Sequence, residues 1–228
     1  MGRQGKFIII DGTDGSGKAT QANLLVERLE KNHYPTFKME FPQYGQKSAG
    51  LIEEYLRAGK YGSAESVGPY RASIFYACDR YDASFKIRQA LAENRIVISD
   101  RYVTANMAHQ GGKISDPQER KKFFIWLEEL EYGIFEIPRP DLNIILHVDT
   151  EISRNLIDHR VHDSGAKRDL HEADLEHLKH AEQVYLELAQ IMPRTELIEC
   201  VENNQIMTRE RINDILWHTI MKIINTNE

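Results

Sequence analysis

The stretch "FIIIDGTDGSGKATQ", Phe7 to Gln21, decides the fold. Phe7 to Asp11 is a short apolar run that stops at a glycine, and Lys18 to Glu30 carries Leu24, Leu25 and Leu29 at helical spacing, so the segment predicts strand, loop, helix. The loop follows GxxxxGK[ST] through Gly12, Thr13, Asp14, Gly15, Ser16, Gly17 and Lys18. Its glycines let the backbone turn tightly enough to point several N–H groups at one anion, and the helix adds the positive end of its dipole. Lys18 is placed to neutralise β- and γ-phosphate charge. The pattern's last hydroxyl is missing, because Ala19 stands there. Thr20 lies about 100° further round the helix and does not replace it directly. That hydroxyl normally contacts Mg²⁺, so its loss predicts a metal held more through water and the nucleotide's own oxygens. The ATP-binding set is thus expected to run from Gly12 to Thr20.

Further strands are expected at 36–41, 95–100, 142–149 and 195–200, with helical patterns between them. Pro69 to Glu93 predicts one long helix. Asp116, Pro117 and Glu119 supply an N-cap, a first-turn proline and a capping-box acid for the next. Helices are also expected at 150–159, 170–191 and 208–224. This alternation predicts an α/β architecture: a five-stranded parallel sheet flanked by helices, with ligands at the carboxyl ends of the strands. The 228 residues, 41% hydrophobic, fit one domain spanning 1–228. "DHRVHDSGAKRD" (158–169) is polar and basic, and reads as an exposed connection or a flexible lid.

A formal net charge of −6 argues against nucleic acid as a partner, because a backbone binder needs a basic stripe. Cys78 and Cys200 match neither a disulfide framework nor metal-ligand spacing. No run approaches the roughly 18 apolar residues of a membrane span. "MGRQGK" also lacks the hydroxyl of a myristoylation signal. The expected address is the cytoplasm, with no membrane partner.

A second stretch, "IVISDRYVTANMAHQGG" (96–112), ends a strand in an acid followed by an arginine. Asp100 can there hold Mg²⁺ through water, and Arg101 can grip an acceptor phosphate in bidentate fashion. Beside the phosphate loop, this pair points to phosphoryl transfer.

With "DGTDGSGKATQ", "FPQYG", "FYACDR", "SDRYVTANMAHQ", "PRPDLNIIL" and "KRDLHEADLEHLKHAEQVYLELA" in this order, nearly the whole chain resembles the thymidylate kinase family of P-loop nucleoside monophosphate kinases. The resemblance implies transfer of the γ-phosphoryl group of ATP, with Mg²⁺, to dTMP, in an enzyme that is often a homodimer. It puts Asp14 near the acceptor phosphate and sugar and Phe41 and Pro42 in the thymine pocket, with Tyr44 and Asn106 among the substrate-binding residues. Tyr76, with Phe75 as rival, would stack on the base while Arg80 bonds its edge; four residues apart, the two share a helix face. His109 stands where the family usually has a tyrosine against the 2′ carbon of deoxyribose, so its smaller ring could either admit or bond a 2′-hydroxyl, or pack in the same place and exclude ribose equally well. Gly15 occupies a position that is basic in some members, so the catalytic arginine is expected from the lid. Arg160 and Arg168 are its candidates, with Arg154 and Lys167 in reserve. His159, His162, His171, His177 and His180 are expected on a solvated surface. An acceptor such as dUMP, a cytidine nucleotide or a nucleoside, or a non-catalytic nucleotide-binding role, are the rival readings.

Overall fold

The computed structural model describes residues 5–56, 60–153, 175–203 and 205–226. Five parallel strands form one sheet: β1 (Lys6–Gly12), β2 (Thr36–Glu40), β3 (Ile96–Asp100), β4 (Leu142–His147) and β5 (Thr195–Glu199), in the order β2-β3-β1-β4-β5. The helices are α1 (Lys18–Lys31), α2 (Gly50–Leu56), α3 (Ala64–Ala92), α4 (Val103–Gly111), α5 (Pro117–Glu128), α6 (Leu175–Ile191) and α7 (Arg209–Ile224). Central β1 shows why its sequence is apolar without alternation. Phe7 and Ile9 join the core shared with α3 to α6, while Ile8 and Ile10 join the core shared with α1 and α7. A strand covered on both faces has no polar side. Each such side chain contributes roughly 1.5–3 kcal/mol by leaving water.

The five strands and the caps agree with the sequence reading. Asp116 accepts from the Gln118 N–H at 2.9 Å ahead of Pro117, while Glu119 pairs with Lys122 rather than closing a capping box. Three features were not anticipated. The helix expected from Pro69 has a further turn before it, capped by Ser63 and broken at Gly68, whose φ of 73° no other residue adopts freely. A π-helical turn follows α5 at Glu129–Ile134, and a small antiparallel hairpin, β6 (Val201–Glu202) with β7 (Gln205–Ile206), follows β5. The expected lid, 158–169, with Arg154, Arg160, Lys167 and Arg168, lies outside the described residues.

β5 is an edge strand and carries exposed Glu196 and Glu199, charges that discourage pairing with another chain. Glu199 also helps to fasten the edge. His147, at the end of β4, donates from Nδ1 to Glu199 Oε2 at 2.6 Å and from Nε2 to Glu182 Oε1 on α6 at 3.1 Å. These carboxylates push the imidazole up to about 9 against the effect of burial. Asp149 places a further carboxylate within 4.8 Å of the ligand atoms, but an imidazolium that donates from both nitrogens has no lone pair for a metal.

The raised value sets a pH signature. The stabilisation from His147 is complete below its ordinary value of 6.5 and is lost as pH rises towards about 9. Thermal melts should therefore show the wild-type midpoint falling across that window, and His147→Gln should flatten the fall. An unchanged slope in the variant would show that the pair does not carry it.

Candidate active site

The glycine-rich loop between β1 and α1 takes the shape its glycines permit. Gly12 ends β1 with φ 140°, and a Cβ there would lie 2.1 Å from the Leu146 carbonyl oxygen of β4, so no larger residue fits. Gly17 enters α1 in the left-handed region. Lys18 folds back over the loop, donating from Nζ to the carbonyls of Gly12 (3.1 Å) and Thr13 (2.8 Å), with Asp14 Oδ1 at 3.6 Å. Burial, then Arg101, brings this ammonium down from its ordinary value against the pull of Asp14, Asp100 and Asp11. Gly15 is half-buried and Ser16 buried; Ala19 is exposed and Thr20 half-buried in the first turn of α1.

The carboxyl end of β3 brings the second stretch against this loop. Ile10 of β1 pairs in register with Asp100, and the Arg101 N–H donates to the Ile10 carbonyl at 3.0 Å. Arg101 sits at φ 68°, a left-handed conformation that costs a non-glycine residue about 1–2 kcal/mol. Its carbonyl accepts from Ser99 Oγ at 2.7 Å. The guanidinium forms an ion pair with Asp14 and donates to His109 Nε2 at 3.1 Å. Burial alone would raise Asp14, but Arg101 and Lys18 hold it well below the usual carboxylate range. Asp100 goes the other way, lifted by burial against Arg101 and Lys18. Asp100 Oδ1 and Ser16 Oγ are both buried without a hydrogen-bond partner among the described residues. Oxygen donors of this kind suit a hard divalent cation such as Mg²⁺.

Next to Arg101 opens a cavity of about 340 Å³. Phe41, Pro42 and Tyr44 line it after β2; Phe41 is buried against Tyr102, the Phe41–Pro42 peptide is cis, and Tyr44 is exposed. From α3, Tyr76 lines the cavity, whereas Phe75 packs on Tyr55 and Tyr61. Arg80 lines it too, but its guanidinium is deeply committed. Nε donates to Glu131 Oε1 and Oε2 at 2.9 and 3.1 Å, Nη2 pairs with the same carboxylate, and Nη1 faces the Tyr102 carbonyl at 3.4 Å. From α4, Asn106 lines the cavity while bonded to Ser73 Oγ at 3.3 Å, and His109 closes the polar end.

Two expectations about histidine need correction. His109 offers no spare nitrogen to a sugar hydroxyl, since Nε2 meets Arg101 and Nδ1 meets His177 Nε2 at 3.3 Å. His177 is buried rather than solvated, because α6 turns that side onto α4; His180 is exposed as expected. His159, His162 and His171 lie outside the described residues. Sequence reasoning also missed Glu131, whose acid gave no signal on an unforeseen π turn, and Asp79, which accepts from the Gln43 N–H at 2.9 Å and ties the "FPQYG" turn to α3. Gln110 was missed as well. It lines the cavity, and its buried Nε2 has no hydrogen-bond partner among the described residues. Its position one residue after His109 was the available signal.

Known proteins with this combination are consistent in kind. The family model for thymidylate kinase matches residues 10–212. A thymidylate kinase of Mycobacterium tuberculosis is 30% identical over 184 residues, covering 80% of this chain and 85% of that one. A probable thymidylate kinase of Thermococcus onnurineus is 30% identical over 223 residues, covering 95% and 99%. The solved structure of thymidylate kinase from Candida albicans superposes with a TM-score of 0.79 at 22% identity, covering 100% of this chain and 97% of that chain.

The Arg80–Glu131 pair gives a direct test of what shapes the cavity wall. Glu131→Ala leaves a guanidinium buried without its counter-charge, and should lower unfolding free energy by about 3–5 kcal/mol in urea titration. A loss under about 1 kcal/mol would mean that the pair behaves like a surface ion pair.

Proposed function

This chain belongs to the thymidylate kinase family, ATP-dependent kinases that transfer a phosphoryl group to dTMP, and we propose that its reaction runs between the Lys18 loop and the Arg101 end of the cavity. The γ-phosphoryl group of ATP passes to a phosphate oxygen of dTMP, giving ADP and dTDP, a precursor for dTTP and DNA. The observation that carries the site assignment is the Asp14–Arg101 pair, which sets donor loop and acceptor clamp side by side.

Catalysis by such a site is positioning and charge neutralisation, without a covalent intermediate. Loop amides from Gly12 to Thr20 and Lys18 hold the donor phosphates; Lys18 exchanges its carbonyl partners for phosphate oxygens. Arg101 holds the acceptor phosphate, and Asp14 keeps that guanidinium turned toward the loop. Phe41, Pro42, Tyr44, Tyr76, Arg80 and Asn106 enclose the base. Asp100, with Ser16 in place of the hydroxyl missing at Ala19, would hold Mg²⁺, which supplies neutralisation of donor oxygen charge. The developing charge on the group in flight needs one more cation, because Gly15 supplies none. Arg160 and Arg168 are proposed for it from the sequence.

A homodimer is proposed through α3. Tyr70, Ile74, Tyr81 and Phe85 recur on this helix at spacings that share one face, and are 40–60% exposed. Action in the cytoplasm is proposed in keeping with the free thiols of Cys78 and Cys200.

A panel of monophosphate acceptors tests the assignment. dTMP should be preferred to dUMP, but by at most roughly 200-fold, since a pocket reads one methyl group with only about 1–3 kcal/mol. Faster turnover of dCMP, dAMP or dGMP would overturn it. For the cation, the double substitution Arg160→Ala with Arg168→Ala should lower kcat by on the order of 10³ with a smaller change in KM; a near-normal kcat would remove both arginines from the mechanism.

A further inference from the structure

α6 carries more toward the acceptor site than its sequence suggests. His177, Ala181 and Tyr185, four residues apart, fall on one face, and all three are buried. α4 lies directly against that face. A Cβ on Gly112 would come within 3.1 Å of the Ala181 nitrogen and the His180 carbonyl carbon, so the glycine allows the close approach. Tyr185 fixes the helix against the sheet by donating to Asp11 Oδ1 at 2.6 Å. The consequence is a histidine pair: the rings of His109 and His177 lie 5.5 Å apart with planes at 21°, and the Tyr185 ring meets His109 edge-on at 6.0 Å.

The hydrogen-bond roles in this pair follow from Arg101. A guanidinium only donates, so His109 Nε2 must accept from it. A neutral His109 then carries its proton on Nδ1, and that proton points to His177 Nε2, which accepts. We propose that His177 is a positioning residue for phosphoryl transfer: by accepting from His109 Nδ1–H it fixes the tautomer whose Nε2 receives Arg101, and so fixes the guanidinium for the acceptor phosphate.

The groups facing His109 agree with a neutral ring. Burial pushes it well below its ordinary value; Asp14 pulls the other way, while Arg101, His177 and Lys18 add to burial. Without an acceptor at residue 177, the buried Nδ1–H loses its partner and the other tautomer becomes competitive. That tautomer turns an N–H toward the N–H groups of Arg101, and the clamp is displaced. His177 touches no reacting atom in this scheme. Its effect should therefore fall on binding of dTMP rather than on ATP.

This inference rests on the reading of Arg101 as the acceptor clamp, and the variants separate the two. His177→Leu removes the acceptor and should raise KM for dTMP by on the order of tenfold, as expected for one misdirected hydrogen bond, with KM for ATP unchanged. His177→Gln places an amide oxygen near the lost nitrogen and should restore most of the affinity. ¹⁵N NMR of the histidine-labelled full chain should show His109 protonated on Nδ1 and bare on Nε2 in wild type and His177→Gln. If wild type shows the Nε2–H tautomer, the proposal fails whether or not the leucine variant folds. It also fails if His177→Leu binds dTMP normally, or if glutamine is as impaired as leucine. Arg101→Lys is the control: should it leave KM for dTMP unchanged, the clamp reading itself is wrong, whereas a raised KM there beside a normal His177→Leu isolates the failure to His177.

Discussion

The ion pair between Asp14 and Arg101 joins the two halves of the site. Asp14 belongs to the loop after β1, and Arg101 to the turn after β3; only parallel strands in register bring the ends of both to one edge of the sheet. The pair is mostly out of water, so its attraction is worth having only because each partner is bonded elsewhere. Asp14 also faces Lys18, and Arg101 also faces His109. Removing either partner would leave a largely buried charge with weaker compensation, Asp14 facing Lys18 at 3.6 Å or Arg101 facing His109. The arrangement thus depends on the whole central sheet and not on the loop alone.

A similar logic runs along the cavity. Arg80 is held by Glu131, Asn106 by Ser73, and the turn at Gln43 by Asp79. Arg80 and Asn106, two of the side chains expected at the base-binding wall, are each anchored by a residue on a different element. Such support fixes rotamers before any ligand arrives, so little ordering remains to be done on binding.

Much of this was legible beforehand, for definite reasons. The sheet could be read because β1, β3 and β4 are buried on both faces, and each therefore carries a short apolar run without alternation. The turn between β1 and α1 could be read because its geometry demands glycine at Gly12 and Gly17. Tyr76 and Arg80 could be placed on one helix face by spacing. What escaped were partners set by tertiary contact. Glu131 is an acid among acids in "LEELEY", and nothing local says that one of them meets an arginine 51 positions away. His177 sits in a charged-looking segment, and its burial comes from the approach of α4 at Gly112, which no periodicity in α6 reveals.

Arg101 is one of six non-glycine residues among those described with a left-handed backbone, and it lines the candidate site. Its left-handed conformation persists because the amide and carbonyl are both tied down, to Ile10 and from Ser99. Glycine at this position would relax the main chain but remove the side chain proposed as the acceptor clamp. The turn after β3 is therefore a point where selection for durability and selection for turnover pull in opposite directions. Any effort to harden this enzyme against heat by smoothing its backbone would meet that conflict here first.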